Sequence, residues 1–228
     1  RVIAYPGSPV TSILDAAVKF KEIRTQWAAN EKVSLEIAAG AAYAGARALV
    51  VMKHVGLNVA ADPFFNLAYT GIAGGLVIVV GDDPGAKSSQ NEQDTRLLAH
   101  AAGVPVLEPS TGMEALIFTK LAFSISEAFD LPVIVRLTSP LCYGHSRVVT
   151  SFRQERRRSL SFATPQKKYL LLPINVQNRH RSQLENLAAL SKSIWIDRVN
   201  AAVFPDEKPV AKYPFGVICS GYAAAVVA

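Results

Sequence analysis

The chain has 228 residues, half of them hydrophobic, enough for one large domain or one domain and part of another. A mean hydropathy of +0.21 would suit a membrane protein, but the longest apolar runs, such as Leu76–Val80, break far short of the ~20 residues a spanning helix needs. The formal charge of +6 is uneven, net −1 over residues 1–150 and net +7 over 151–228, and no aromatic interleaving makes the basic run a nucleic-acid surface.

Apolar runs and helical patterns alternate through the first 150 residues. The chain opens on Arg1 and a strand, Val2–Tyr5, with no charged leader and no secretory apolar segment, as an internal piece of a longer protein would. Ser8 then reads as the N-cap of a helix over Pro9–Phe20, since proline suits a first helical position. A second helix is predicted over Glu31–Gly45, with its glutamate in the first turn, where the helix dipole favours an acid. The strand Ala48–Met52 and the helix Leu57–Tyr69 follow, and then the strand Leu76–Val80 runs into a turn at Gly81-Asp82-Asp83-Pro84-Gly85. A polar run, Ser88–Asp94, leads into a helix over Glu92–Ala101. The strand Pro105–Leu107, the helix Gly112–Phe129 and the strand Pro132–Leu137 complete the series. Strands this apolar are buried on both faces, and their alternation with helices predicts a doubly wound parallel sheet of the α/β class. Ligands of such sheets bind outside the C-terminal strand ends, where the loops after Tyr5, Met52 and Val80 fall.

Residues 151–165 read as a polar, basic linker ending at Pro165. The basic excess clusters in Arg153, Arg156, Arg157, Arg158, Lys167, Lys168, Arg179 and Arg181, as a solvated segment or a surface docking on acidic parts of the same enzyme. Residues 166–228 are expected to begin a second α/β unit that is cut short. Its predicted parts are a strand-like Tyr169–Leu172, a helix about Arg181–Ser191, a loop rich in proline and charge, a strand Gly216–Ser220 and a helix start in Gly221–Ala228. Cys142 and Cys219 form no C-x-x-C pair, so neither a zinc site nor an iron–sulfur cluster can be assembled from this chain alone, and buried free thiols in a reducing cytoplasm are expected.

Four segments could carry chemistry. They are Tyr5-Pro6-Gly7-Ser8-Pro9, Asn30-Glu31-Lys32, Lys53-His54-Val55-Gly56-Leu57-Asn58 with Asp62, and Ser88-Ser89-Gln90-Asn91-Glu92-Gln93-Asp94. By position alone Glu31 is an ordinary first-turn acid, and His54 at a strand end is more often a structural residue than a catalytic one. In this order, however, the segments resemble the thiamine diphosphate-dependent 2-oxoacid:ferredoxin oxidoreductases, and within them the α-subunit of the indolepyruvate branch. The likeness covers residues 1–150 well and 166–228 more loosely.

That resemblance implies a pyrimidine-binding domain over residues 1–150, followed by the start of a transketolase C-terminal-like domain. It implies that Glu31 hydrogen-bonds the pyrimidine ring nitrogen of thiamine diphosphate and so acts catalytically. Ser8 stands where relatives usually carry threonine, its hydroxyl facing cofactor and substrate. Lys53 and His54 become substrate contacts, with His54 also a proton donor, and Asn58 a cofactor contact. Ser89, Gln90 and Gln93 lie on a loop that approaches the substrate. Gly81–Gly85 is not the magnesium–diphosphate signature of such enzymes, because Asp83 replaces its second glycine, so no metal ligand is assigned to this chain. The implied reaction is oxidative decarboxylation of an aryl 2-oxo acid such as indolepyruvate, with coenzyme A and ferredoxin, to an aryl-acetyl-CoA. Mg2+ and [4Fe-4S] clusters belong to the complete enzyme, whose diphosphate-binding domain and second (β) subunit are the implied partners in a hetero-oligomer or dimer. The chain alone is then expected to be inactive, and to expose an apolar face around the Glu31 helix where another domain docks. Another branch of the family, for pyruvate, 2-oxoglutarate or branched-chain 2-oxo acids, shares the fold and Glu31. A non-catalytic assembly domain of the same fold is the other alternative.

Overall fold

Successive residues of the central strands are apolar at both parities, so each strand can be covered from above and below. In the computed structural model, which describes residues 1–150, 168–200 and 217–227, six strands form one all-parallel sheet. They are β1 (Val2–Ala4), β2 (Thr25–Trp27), β3 (Ala48–Lys53), β4 (Leu76–Asp82), β5 (Val106–Leu107) and β6 (Val133–Thr138), in the order β2-β1-β3-β4-β6-β5. All seven residues of β4 are buried. Chain direction across the sheet reverses at β1, the crevice-forming arrangement of doubly wound folds.

Ile3, Val50, Ile78 and Ile134 turn to one face, and their sequence neighbours Ala4, Val51, Val79 and Val135 turn to the other. The first face is covered by α2 (Glu31–Tyr43), α3 (His54–Val59), α4 (Ala61–Thr70) and α5 (Thr95–Ala102), through Leu35, Leu57, Phe64 and Ala99. The second is covered by α1 (Ser12–Ala17) and α6 (Gly112–Phe129), through Leu14, Phe118 and Ile125. Small residues on α2, Ala38, Ala39 and Ala42, bring its backbone close to β1 and β3.

Several boundaries differ from the sequence expectation for physical reasons. The helix expected from Pro9 begins at Ser12, and Ser8 is not its cap. Pro9 and Val10 are buried instead over the bare backbone of Gly81, where a Cβ would stand 2.8 Å from Val10 Cγ1 and 3.0 Å from Pro9 Cδ. The expected helix Leu57–Tyr69 splits at Ala60 into α3 and α4, because Pro63 has no N–H to give to the carbonyl of Val59. Gly81 and Asp82 belong to β4, paired with Leu137 and Thr138, so the turn starts only at Asp83. The helix expected from Glu92 starts at Thr95, since the Asp94 carboxylate accepts the Arg96 N–H at 3.0 Å and caps it. The short, half-polar edge strand β2 carries no alternation that sequence could reveal.

After residue 150 the expected linker 151–165 lies outside the described residues. Tyr169–Leu172 forms no strand, and α8 runs from Pro173 to Ser191, longer than expected at its N-terminal end, with α9 (Ile194–Val199) after it. Val217–Ser220 is not a strand either, and α10 covers Tyr222–Val227. Among the described residues no strand follows β6. α8 packs on α4 and α6 and buries Gln183 and Leu190. Helix ends need donors for their last carbonyls, and the basic residues supply them. Arg179 donates to Tyr69 O at 3.1 Å and Thr70 O at 2.8 Å, and Lys168 donates to Ile72 O and to Asp130, both at 2.8 Å. No helix of the described residues is long and apolar enough to cross a membrane.

Candidate functional site

Four of the predicted segments meet at the C-terminal edge of the sheet, and each contact has a local cause. Asn30 is extended, and its Oδ1 accepts the Val33 N–H at 2.9 Å, which fixes the start of α2 and places Glu31 in the first turn. The Glu31 side chain then lies against Gly56 of α3. A Cβ at Gly56 would stand 2.5 Å from Glu31 Cγ and 2.8 Å from Cδ, so only glycine leaves this place to the carboxylate. Lys32 reaches across to Asp62 at 3.1 Å and ties the starts of α2 and α4 together. That bond raises the Lys32 ammonium above its ordinary range.

The loop after β1 closes the other side. Gly7 packs on Lys53, where a Cβ would come within 2.9 Å of Lys53 Cβ, and its N–H donates to Thr11 Oγ1 at 3.0 Å. Ser8 is exposed in this loop. Lys53, at the end of β3, is buried, and its Nζ donates to Ser88 O at 2.8 Å. His54 is 2% exposed, with Nδ1 3.3 Å from Gly81 O and Nε2 3.2 Å from Asn91 O. Both partners are acceptors, and a neutral imidazole can serve only one of them. Lys53 therefore ties down the polar loop after β4, and His54 does so in the tautomer that carries its proton on Nε2.

On that loop Ser89 is half-buried, its hydroxyl donating to Asp83 Oδ2 at 2.6 Å, while Gln90 is exposed. Gln93 Nε2 donates to Asn91 Oδ1 at 2.7 Å. Asn58 is exposed on α3. The apolar face expected around the Glu31 helix is not on the helix itself, whose exposed positions are Glu36 and Gly40. The exposed large apolar side chains of this edge are Tyr5, Trp27 and Val59 on neighbouring elements.

A second group escaped the sequence reading. Asp82, fully buried at the end of β4, accepts the Thr95 N–H at 3.1 Å, the Thr95 hydroxyl, and Arg136 Nε at 2.6 Å. Arg136 of β6 also donates to Glu108, and Arg96 joins Glu108 at 3.3 Å and Asp94 at 2.6 Å. The Arg96 guanidinium holds the Asp94 carboxyl below the usual carboxylate range. A lone arginine inside the run Val133-Ile134-Val135-Arg136-Leu137 was the available signal, because a buried guanidinium requires carboxylates beside it. Asp94, Arg96, Glu108 and Arg136 border a cleft of about 770 Å³, which Ser220 and Tyr222 also line, and of the sequence-predicted site residues only Gln93 reaches it. Asp94, Arg96, Glu108 and Arg136 are already paired with one another or with Asp82. Among the described residues no group of three His, Cys, Asp or Glu side chains is placed to hold a metal ion.

Comparison with known proteins addresses the family and the fold. Residues 1–186 match the family profile described as pyruvate flavodoxin/ferredoxin oxidoreductase, thiamine diphosphate-binding. The chain is 38% identical over 232 aligned positions to indolepyruvate oxidoreductase subunit IorA of Pyrococcus horikoshii, covering 98% of this chain and 35% of that one. It is 40% identical over 208 positions to the subunit of the same name from Thermococcus kodakarensis, covering 85% and 32%. It thus spans about a third of the length of these curated relatives. Among solved structures, a 2-oxoglutarate:ferredoxin oxidoreductase from Magnetococcus marinus superposes with a TM-score of 0.64 at 16% identity, over 83% of this chain and 41% of that chain, which shows a shared fold.

Proposed function

The chain belongs to the pyruvate flavodoxin/ferredoxin oxidoreductase family, in its thiamine diphosphate-binding part, and from that premise we propose that it is the pyrimidine-binding portion of an enzyme that oxidatively decarboxylates aryl 2-oxo acids. Indolepyruvate is the proposed substrate, an aryl-acetyl-CoA the product, and ferredoxin the electron acceptor. Support for the aryl class comes from the likeness to relatives that bear the indolepyruvate name and from the Lys53-His54-Val55-Gly56-Leu57-Asn58 segment.

One observation carries the catalytic reading: the Glu31 carboxylate is seated against Gly56 at the ligand-binding edge of the sheet, in a place that any side chain at 56 would fill. A carboxyl given this room fits the pyrimidine ring of thiamine diphosphate. Glu31 would hold a proton against the ring nitrogen and release it as charge shifts. When bound, the cofactor supplies the carbanion chemistry of decarboxylation. Ser8 would present its hydroxyl, and Asn58 its amide, from flanking elements. Lys53 and His54 would set the floor beneath the substrate, and Ser89, Gln90 and Gln93 would face it from the loop after β4. The diphosphate-binding domain with its Mg2+, the clusters and the β subunit are proposed to come from the rest of the complex.

The test is Glu31→Gln in the complete enzyme. A neutral amide cannot exchange the proton, so turnover should fall by roughly 10²–10⁴-fold, the range for loss of a positioned acid–base group. Turnover within a few-fold of wild type would sink the assignment.

A further inference from the structure

Asp83 is 1% exposed, yet it belongs to no apolar core cluster, and the sequence assigned it only to a turn. Its Oδ2 accepts the Ser88 N–H at 2.8 Å and the Ser89 hydroxyl at 2.6 Å, and its Oδ1 accepts the Ser139 hydroxyl at 2.8 Å. Ser139 is the first residue of α7 (Ser139–Tyr143), directly after β6. One carboxylate thus ties the middle of the loop between β4 and α5 to the ends of two central strands. The same loop is held at Ser88 O by Lys53 and, in the tautomer protonated on Nε2, at Asn91 O by His54.

Nothing apolar does this work. Pro84, Gly85, Lys87, Ser88 and Gln90 are exposed, and the loop contains no helix or strand. Its order depends on hydrogen bonds that offset its conformational entropy, and Asp83 takes more of them than any other residue. The neighbouring Asp82 makes the contrast clear, since its bonds go to Thr95 and Arg136, both parts of the scaffold.

We infer that Asp83 is the positioning residue for the substrate-facing loop: by fixing Ser88 and Ser89 it sets where Ser89, Gln90 and Gln93 meet the 2-oxo acid. It therefore governs affinity for that substrate and leaves affinity for thiamine diphosphate alone. This inference rests on the function proposed above.

The experiment is Asp83→Asn in the complete enzyme, a change that keeps the shape, removes the charge and turns an N–H₂ toward existing donors. KM for the aryl 2-oxo acid should rise by about tenfold, with kcat changed much less and the dissociation constant for thiamine diphosphate within about twofold. Amides of residues 85–91 should exchange hydrogen faster while those of β4 and α5 stay protected. Ser139→Ala removes an anchor from outside the loop and should reproduce the KM effect in part, and in the double variant the two effects should be less than additive. If Asp83→Asn fails to fold, Ser139→Ala carries the test by itself. An unchanged KM and unchanged loop exchange would overturn the inference. If that happens while Glu31→Gln still abolishes turnover, only the role of Asp83 is lost. Should Glu31→Gln remain active, the functional reading fails, and faster loop exchange in Asp83→Asn would then show loop positioning without this substrate.

Discussion

A single methyl group added at position 56 tests the seat of Glu31 directly. An alanine Cβ would stand 2.5 Å from Glu31 Cγ, whereas carbon atoms pack at about 3.5–4.0 Å, so the glutamate must retreat by about an ångström. Gly56 lies within α3 and has no positive φ, so alanine suits its backbone and recovers roughly 0.5–1 kcal/mol of helix propensity. Overpacking costs about 1–3 kcal/mol, which leaves a net destabilisation of at most about 2.5 kcal/mol. The fold should therefore survive while the carboxylate moves. A displacement of about 1 Å at a reacting group lowers rates by roughly 10²-fold. The assay is kcat and thiamine diphosphate affinity of the complete Gly56→Ala enzyme, with its thermal midpoint as control. The expected outcome is a midpoint within several degrees of wild type and turnover reduced by about 10–100-fold. A folded Gly56→Ala enzyme with turnover and affinity within twofold of wild type would refute the reasoning, because Glu31 would then not need the place that glycine leaves it.

Three further outcomes follow from the geometry. Arg136→Ala leaves Asp82 buried without its guanidinium and should lower unfolding free energy by about 3–5 kcal/mol in urea titration, and a loss under about 1 kcal/mol would contradict the pairing. The Ser89 hydroxyl, the Ser88 N–H and the Ser139 hydroxyl hold the Asp83 carboxyl well below the usual carboxylate range, so the folded state binds this proton more weakly than the unfolded chain. Its contribution is complete above about pH 4 and is lost as pH falls further, so the urea midpoint should drop below pH 4, less steeply in Asp83→Asn. Burial pushes the Cys142 thiol up to about 12, whereas Cys219 is exposed, so a disulfide reagent at pH 8 should label Cys219 at once and Cys142 only after unfolding. Fast labelling that persists in Cys219→Ser would contradict that.

Elements whose determinants are local could be read from sequence. The run from Leu76 to Val80 announces a strand covered on both faces, because apolar residues at both parities suit no half-exposed strand. α6 appears over the predicted Gly112–Phe129, since Thr111 accepts the Glu114 N–H at one end and Asp130 turns left-handed at the other. Asn30 marks the start of α2 and the position of Glu31 for the same reason, a cap made within four residues. What sequence could not show depends on partners distant along the chain. The short strand β2 exists only because β1 offers it a parallel edge. Ser8 loses its helix because Pro9 and Val10 gain more by covering Gly81. The charges of Asp82 and Arg136, each improbable in a buried strand, are tolerable only as a pair across β4 and β6. Gly56 takes its meaning from a glutamate on another helix, and Asp83 from hydroxyls on a loop and on α7. Chain order and capping chemistry thus determined which elements form and which residues stand at the ligand-binding edge. Packing alone decided which of those residues touch, because steric exclusion and charge compensation are properties of neighbours in space.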